Sequence, residues 1–284
     1  MRFHSEILGL PKGTETLLSD LVHSRTGIYF DASKIDLLMD KLSPLVVRRG
    51  FNSFLDYYYL LKYDDTAPVE WGNVMNALSV GETYFWRESD QIRVLTQSIV
   101  PRWLAAHPGQ TLRIWSAACA SGEEPLSIAL ALHEAGWFDR ASIEIHASDG
   151  SSTAIDKAKA GVYRERSFRS LSPQRRARYF LPEGPKTWRV LPELHSKVHF
   201  SVANLMSEAE IAPLAVADVI FCRNVFIYFS EASIARTVRL FSRYMPAEGY
   251  LFVGTAESLL RLTSDFVLKD IDNAFIYEKE SHVH

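Results

Sequence analysis

The chain shows two kinds of hydrophobic patterning, one before about residue 75 and another after about residue 110. In the first region, TETLLSDLVHSRTG has apolar residues at positions 17, 18, 21 and 22, and Gly27 follows as a helix stop signal. The stretches DASKIDLLMDKL and SFLDYYYLLKYD repeat this helical period. The pattern predicts a helical N-terminal domain over residues 1–75, which ends in the polar, turn-prone stretch YDDTAPVE.

From residue 111 onward, apolar runs of strand length alternate with segments of helical period. The predicted strands are 112–117, 143–147, 219–222 and 250–253, and the predicted helices are 123–135, 153–160 and 231–244. This alternation is typical of a mainly parallel sheet with helices on both faces, so we predict an α/β domain over residues 76–284. The last segment, FVLKDIDNAFIYEK, predicts a closing hairpin with an antiparallel edge strand.

One stretch of this second region fits neither pattern. Residues 161–200 are rich in Arg and Pro and contain short alternating pieces such as TWRVL and KVHFSV. We therefore predict a small lobe with β-structure, inserted into the α/β domain over about 161–200.

Composition and charge narrow the function classes. The net charge of −3 argues against nucleic-acid binding, which usually needs a clear excess of Lys and Arg. The chain has no apolar run of the roughly 18 residues that a membrane span needs, and the N-terminus MRFHSEILGLPKG lacks the layout of a signal peptide. We expect a cytoplasmic protein without membrane insertion, in which Cys119 and Cys222 are reduced, buried thiols and no metal is bound.

In a doubly wound sheet, ligands bind at the carboxyl ends of the strands, and four strand exits here carry candidate residues. The first, SAACASGEEP, has small residues that allow close backbone approach, followed by two acids. The second, HASDG, has an aspartate where a carboxylate reaches both hydroxyls of a ribose. The third is SVANLM and the fourth FCRNVFIYF. Together the four exits predict a nucleoside pocket.

Each of these residues also has a purely structural explanation. Glu123 and Glu124 would suit a helix N-terminus, Asp149 could cap the next helix, and Asn204 could be a turn residue. The acids nevertheless discriminate between cofactors, because a pyrophosphate site favours backbone donors and the spacing Gly-x-Gly-x-x-Gly is missing. A cationic nucleoside without phosphate, such as S-adenosylmethionine, fits better.

Several motifs, in order from about residue 15 to residue 278, make the chain resemble the CheR-type methyltransferases. They are NALSVGETYFWRES, IWSAACASGEEPLSIAL, ASD followed by KAKAGVY, LSPQRRARYF, FSVANL and FCRNVFIYF. Members of that family methylate glutamates of bacterial chemotaxis receptors. The resemblance implies an N-terminal helical domain, a class I S-adenosylmethionine-dependent methyltransferase domain with a seven-stranded Rossmann-like sheet, and a small inserted β-subdomain.

The resemblance also implies a set of cofactor contacts for S-adenosylmethionine and its product S-adenosylhomocysteine. They fall on Thr83, Arg87, Glu124, Asp149, Asn204, Leu205, Arg223 and Asn224. This chain departs from the family at two places: Gly81 stands where Asn is common, and ASDGSS lacks the usual DID triplet although it keeps the first Asp. A glutamate is already ionised near neutral pH, so methyl transfer needs alignment rather than a general base. Arg87 and Tyr228 are the candidates for that catalytic task.

The family picture further implies the partner, which is the acidic cytoplasmic coiled coil of a methyl-accepting chemotaxis receptor. Lys34 and Lys41 are seven residues apart and would share a helix face towards it; Arg48 would extend the stripe, but Pro44 interrupts it. The short loop in YFLPEGPKTWRVL favours a protein that does not depend on a tethering receptor pentapeptide. Two alternatives stay open: a class I methyltransferase acting on another protein or a small acid, and a non-enzymatic S-adenosylmethionine-binding signalling module.

Overall fold

The computed structural model describes residues 8–280, and its N-terminal part is a bundle of four helices. They are α1 (Thr14–Thr26), α2 (Ile35–Arg48), α3 (Phe54–Tyr63) and α4 (Ala67–Leu78). Their apolar faces share one core, in which Leu18, Leu38 and Phe54 are fully buried. Gly27 follows α1 with a φ of 79°, a left-handed conformation that glycine adopts without a Cβ clash. The helical prediction is confirmed for the described residues, and residues 1–7 lie outside them. Helix α4 begins within YDDTAPVE and runs to Leu78, so the helices continue past the predicted end at residue 75.

Helix α2 continues through Pro44, and the predicted interruption is wrong. Pro44 is exposed at an internal position of the helix, where a proline costs about 3 kcal/mol through a lost backbone hydrogen bond and steric conflict. Leu42, Leu45 and Val46 around it are buried in the bundle core. Burial of one such side chain stabilises the fold by about 1.5–3 kcal/mol, so packing outweighs the local cost.

Seven strands form the large sheet of the second part. They are β1 (Leu112–Ala117), β2 (Ile143–Asp149), β6 (Val198–Val202), β7 (Val219–Phe221), β8 (Tyr250–Phe252), β9 (Phe266–Ile271) and β10 (Ala274–Lys279). Across the sheet they lie in the order β6-β2-β1-β7-β8-β10-β9. The neighbours from β6 to β8 pair in parallel, whereas β10 pairs antiparallel with β8 and with β9.

The predicted closing hairpin is present, and its edge strand, β9, pairs antiparallel with β10. A two-residue turn, in which Asp272 and Asn273 have φ values of 50° and 64°, folds β10 back beside β9. Positive φ at both central residues matches the natural twist of a hairpin. Since β10 pairs with β8, β9 is left as the edge strand.

Both faces of the large sheet are buried, because alternate residues of its strands point to opposite sides. On β1, Ile114 faces one core and Trp115 the other, and both are fully buried. The first core is covered by helices α5 (Ser89–Val94), α6 (Val100–Ala106), α7 (Glu123–Glu134) and α8 (Ser152–Ala160). The second is covered by α11 (Glu208–Ile211) and α12 (Glu231–Tyr244).

The inserted region contains three strands and two helices, which are β3 (Val162–Arg164), α9 (Pro173–Tyr179), β4 (Phe180–Gly184), β5 (Thr187–Val190) and α10 (Pro192–His195). The three strands form a separate sheet in the order β3-β5-β4. Phe85 joins it to the main body, since its ring stacks on Phe168 with a 5.4 Å centroid distance and meets Phe180 edge-on at 4.9 Å. The segment KVHFSV, expected in this lobe, instead forms β6 at the edge of the large sheet.

Three further expectations concern composition. Cys119 and Cys222 are free, buried thiols, as predicted, and burial raises the pKa of both. Within residues 8–280, no helix combines the length and the apolar character that crossing a membrane requires. In the same part of the chain, no cluster of His, Cys, Asp or Glu side chains is arranged to hold a metal ion.

Candidate active site

A cavity of about 330 Å³ lies at the carboxyl ends of β6, β2, β1 and β7. Its volume falls within the roughly 300–1,000 Å³ of small-molecule sites. All nine residues singled out from the sequence line it: Thr83, Arg87, Glu124, Asp149, Asn204, Leu205, Arg223, Asn224 and Tyr228. The fold brings them to one place, and the individual roles assigned to them stay predictions.

Asp149 ends β2 with its carboxylate at the cavity. Its Oδ2 accepts the backbone N–H of Ala120 at 2.9 Å, and its Oδ1 accepts the backbone N–H of Ser151 at 2.8 Å. Burial raises the pKa of this carboxyl above its ordinary value, against the effect of the two backbone donors. Helix α8 is capped by the Ser151 hydroxyl, which accepts the N–H of Ala154. The carboxylate therefore keeps acceptor capacity for hydroxyl donors in the cavity.

Glu124 and Arg223 form a buried ion pair at the exits of β1 and β7. Arg223 Nε lies 2.6 Å from Glu124 Oε2, and the two side chains are only 2% and 13% exposed. Ser116 donates to the other carboxylate oxygen at 2.7 Å, and Arg223 Nη1 donates to Gln91 Oε1 at 3.1 Å. A buried pair with these supports is fixed in position, and it presents both signs of charge to one end of the cavity.

The neighbouring acid, Glu123, faces away from the cavity. Its oxygens accept the hydroxyls of Ser121 at 2.8 Å and Ser167 at 2.9 Å, so it ties the loop after β1 to the inserted region. Burial raises the pKa of Glu123. Of the two glutamates in SAACASGEEP, Glu124 lines the cavity, whereas Glu123 holds the surrounding loops together.

Arg87 lies where the connection from the helical bundle enters the α/β domain. Its guanidinium is 5.4 Å from the ring centre of Tyr84, and Nη1 donates to the carbonyl of Glu82 at 3.3 Å. Its own carbonyl accepts Arg223 Nη1 at 3.1 Å, which links it to the buried ion pair. With a quarter of its side chain exposed (26%), Arg87 can reach a group that enters the cavity from outside.

The loop after β7 carries Asn224 and Tyr228 into the cavity, and it is held by Glu257. Glu257 Oε2 accepts the N–H of Asn224 at 2.8 Å and that of Gly254 at 2.6 Å, while Oε1 accepts the N–H of Ile227 at 3.3 Å. Burial raises the pKa of Glu257. Sequence reasoning missed this residue, because two of its partners, the N–H groups of Asn224 and Ile227, are about 30 positions away and no motif marks it.

Strained backbone is concentrated around the cavity. Trp86, Glu88, Ala118, Ala120 and Asn224 have φ values between 48° and 67°, although none is glycine. Such conformations cost of order 1–3 kcal/mol each and persist where the surroundings impose them. Carboxylates hold two of these residues: the N–H of Ala120 donates to Asp149, and that of Asn224 donates to Glu257. Asp149 lines the cavity itself, whereas Glu257 holds the loop that carries Asn224.

The helical bundle forms one wall of the cavity. The N–H of Tyr29 donates to the carbonyl of Tyr228 at 2.8 Å, and Nδ2 of Asn204 donates to the carbonyl of Arg25 at 2.8 Å. Oδ1 of Asn204 accepts the N–H of Met206 at 3.0 Å, so the expected turn role of this side chain is present as well. The bundle is therefore held against the loops that carry the candidate residues.

Lys34 and Lys41 both line the cavity, but they differ in surroundings. Lys34 is exposed and lies 3.4 Å from Asp31. Lys41 is half-buried, donates to the carbonyl of Ala77 at 3.0 Å, and has a pKa lowered by burial. Lys34 is accordingly the more accessible cation for an approaching partner.

Gly81 and Gly150, which lie at the two places where the sequence departs from the pattern of the family that it resembles, have different surroundings. A Cβ atom at Gly81 would meet no other atom within 4 Å, so this position is open. A Cβ atom at Gly150 would collide with the terminal methyl group of Met75 from α4. Met75, like Glu257, is a cavity-related residue that the sequence did not single out, and its contact with position 150 joins two parts of the chain.

Comparison with known families identifies both parts of the chain. Residues 16–79 match the family model of the CheR methyltransferase all-alpha domain, and residues 81–275 match that of the CheR methyltransferase S-adenosylmethionine-binding domain.

Similar proteins align over most of their own length. Chemotaxis protein methyltransferase 2 of Vibrio cholerae is 34% identical over 262 residues, which are 92% of this chain and 90% of the relative. Chemotaxis protein methyltransferase 1 of Pseudomonas aeruginosa is 35% identical over 258 residues, 88% of this chain and 92% of the relative. The Escherichia coli chemotaxis protein methyltransferase is 31% identical over 268 residues, 93% of this chain and 91% of the relative. The chain therefore belongs to the CheR methyltransferase family, the S-adenosylmethionine-dependent methyltransferases of chemotaxis.

Proposed function

We propose that this protein transfers a methyl group from S-adenosylmethionine to glutamate side chains of methyl-accepting chemotaxis receptors in the cytoplasm. The products are glutamyl methyl esters and S-adenosylhomocysteine. The observation that carries the proposal is the layout of one cavity, with Asp149 at β2, the Glu124–Arg223 pair at β1 and β7, and Arg87 and Tyr228 in the same lining.

The cavity residues fit the cofactor group by group. Asp149 has a carboxylate suited to the ribose hydroxyls, and its acceptor capacity is not used up by its two backbone donors. Glu124 would face the ammonium group, and Arg223 would face the carboxylate of the methionine part. The other predicted contacts are Thr83, Arg87, Asn204, Leu205 and Asn224.

The reaction that these residues would support is an in-line displacement. When bound, S-adenosylmethionine supplies a methyl group on a positively charged sulfur; a C–O bond to the substrate carboxylate forms as the C–S bond breaks. A glutamate has an ordinary pKa of about 4.3, so it is ionised near neutral pH and no general base is needed. What the protein must provide is alignment and exclusion of water.

Arg87 and Tyr228 are suited to aligning the incoming carboxylate. A guanidinium forms paired hydrogen bonds with a carboxylate, and a phenol hydroxyl can donate one more. Arg87 is 26% and Tyr228 36% exposed at the cavity, so both can meet a side chain that arrives from a partner. The helical bundle on the other side would limit access of water.

The receptor would approach along the bundle, where the exposed Lys34 complements an acidic helix. Docking through a receptor pentapeptide is less well supported. The hairpin of the inserted sheet has only Pro185 and Lys186 between β4 and β5, and the edge strand β4 contains Pro182, which lacks an N–H donor. We therefore propose pentapeptide-independent recognition.

Incubation of the protein with isotopically labelled S-adenosylmethionine and purified receptor tests the proposal. The expected result is label that is released as methanol in base and that maps by mass spectrometry to glutamate residues. A receptor with those glutamates replaced by alanine is the matched control. Label on a different protein would favour the alternative substrate class, and cofactor binding with no transfer to any receptor would favour a binding module.

A further inference from the structure

The loop after β2 lacks a side chain at position 150, and the helical bundle fills the gap. The terminal methyl group of Met75 occupies the place where a Cβ atom of residue 150 would lie. The φ of Gly150 is not in the left-handed region, so its backbone does not itself demand glycine. The missing side chain at position 150 is therefore explained by Met75, which occupies its space, and not by a backbone conformation that requires glycine.

Hydrogen bonds next to Met75 hold α4 against this loop. Asn76 Oδ1 accepts the hydroxyl of Ser151 at 2.7 Å and the N–H of Thr153 at 3.1 Å, and Asn76 Nδ2 donates to Ser152 at 3.1 Å. These bonds connect α4 with the first turn of α8. The position of Met75 relative to Gly150 is therefore fixed by the residue that follows it.

Met75 and Gly150 line the cavity together with Asp149, Ala203 and Leu205. This is the side of Asp149 that leads to β6, since β6 is the neighbour of β2 in the sheet. The opposite side leads over Ala120 to the Glu124–Arg223 pair, which suits a charged group. A nucleoside with its ribose at Asp149 would accordingly direct its base towards Met75 and Leu205.

We infer that the thioether of Met75 is a cofactor-binding group, which forms the apolar wall for the adenine ring in place of a side chain at position 150. The inference rests on the proposed function in one respect, namely that the ribose lies at Asp149. Methionine suits the task, because its flexible chain and polarisable sulfur pack well against flat aromatic rings. Cofactor binding then depends on the helical bundle as well as on the α/β domain.

Calorimetric titration of the full-length protein with S-adenosylhomocysteine tests this through an exchange of side chains. The variants are Met75→Ala, Gly150→Met and the double variant, which moves the thioether from α4 to the loop. Each single change should weaken binding by roughly fivefold, the first by loss of the contact and the second by collision with Met75. The double variant should recover to within about twofold of the original affinity.

Two controls make the readout specific. Val69→Ala, on the exposed side of the same helix and outside the cavity lining, should leave the affinity unchanged. Methylthioadenosine, which lacks the charged amino-acid part, should show the same loss with Met75→Ala as S-adenosylhomocysteine does. Thermal unfolding of each variant verifies that it is folded.

The outcomes separate this inference from the proposed function. Unchanged affinity in Met75→Ala, or losses that simply add in the double variant, would overturn the adenine contact whatever the protein methylates. Recovery in the double variant together with no methyl transfer to a receptor would support the contact and remove the proposed substrate. If Asp149→Ala binds normally, the ribose placement on which the inference rests is wrong.

Discussion

Oε2 of Glu257 accepts the backbone N–H of Asn224 at 2.8 Å, and this bond holds a left-handed residue in the loop that follows β7. Glu257 also accepts the N–H groups of Gly254 and Ile227, so one carboxylate connects the exits of β7 and β8. Arg223 precedes that loop and Tyr228 ends it. The positions of both candidate residues thus depend on a side chain that need not touch any ligand.

Glu257→Ala should lower cofactor affinity and turnover together, by roughly tenfold each, because the partly buried N–H groups of Asn224 and Gly254 lose their acceptor at a cost of about 1–3 kcal/mol each. Glu257→Gln should lie between this variant and the original protein, since it keeps one carbonyl acceptor. Calorimetry and initial-rate measurements check the result, with Glu248→Gln in an exposed turn as the control. Wild-type kinetics in a folded Glu257→Ala protein would rule out the positioning role.

Asp149→Ala should weaken binding of S-adenosylmethionine at least about tenfold, because it removes the carboxylate proposed to accept the ribose hydroxyls. The two backbone N–H groups of Ala120 and Ser151 also lose their acceptor, so a lower unfolding temperature is expected as well. Calorimetric titration gives the affinity directly. A folded variant with unchanged affinity would leave Asp149 with a purely structural role.

The affinity for S-adenosylmethionine should fall as the pH is lowered, and the fall should begin above the ordinary aspartate pKa of 3.8. Burial raises the pKa of Asp149, and protonation removes an acceptor that the ribose needs. For the ligand-free protein the sign is opposite: the raised pKa favours folding at low pH, and this contribution is lost as the pH rises through it. Titrations over a pH series, with Asp149→Asn for comparison, test the first effect; an equal slope in that variant would assign it to another group.

Tyr228→Phe should reduce turnover while cofactor affinity stays within about twofold, because the hydroxyl is assigned to the acceptor carboxylate and not to the cofactor. The hydrogen bond from the Tyr29 N–H uses the backbone carbonyl of Tyr228, so the change leaves the contact with the helical bundle in place. Steady-state rates at saturating cofactor measure the turnover, and a separate calorimetric titration measures the cofactor affinity. Lost affinity with normal turnover would contradict this assignment.

Receptor methylation should become weaker in Lys34→Ala, and the difference from the original protein should shrink as salt is added. Lys41→Ala should act more through stability, because Lys41 is half-buried and bonded to the Ala77 carbonyl. Deletion of a receptor's C-terminal pentapeptide should leave the rate unchanged. A rate that collapses on that deletion would show that the short hairpin after β4 does not prevent tethering.

The sequence by itself determined the elements and the edge of the sheet at which they meet. Helical periodicity predicted the bundle, and buried apolar runs gave β1 and β7 to within one residue. Because parallel strands end on one side of a sheet, the strand exits were enough to place Asp149, Asn204 and Arg223 near one another. The local pattern carries this information because a central strand is buried on both faces, so nearly every one of its positions requires an apolar side chain.

Other features were decided only by the tertiary structure. The alternating segment KVHFSV was assigned to the inserted lobe, because an edge strand with partly exposed residues carries no local signal of which sheet it joins. Glu123 and Glu124 are adjacent and chemically alike, and only the rotation of α7 turns one to Ser167 and the other to Arg223. The contacts Glu257–Asn224 and Met75–Gly150 join segments far apart in sequence. No local pattern encodes such pairs, because they arise when the chain packs and their energies depend on atoms that other elements bring into place.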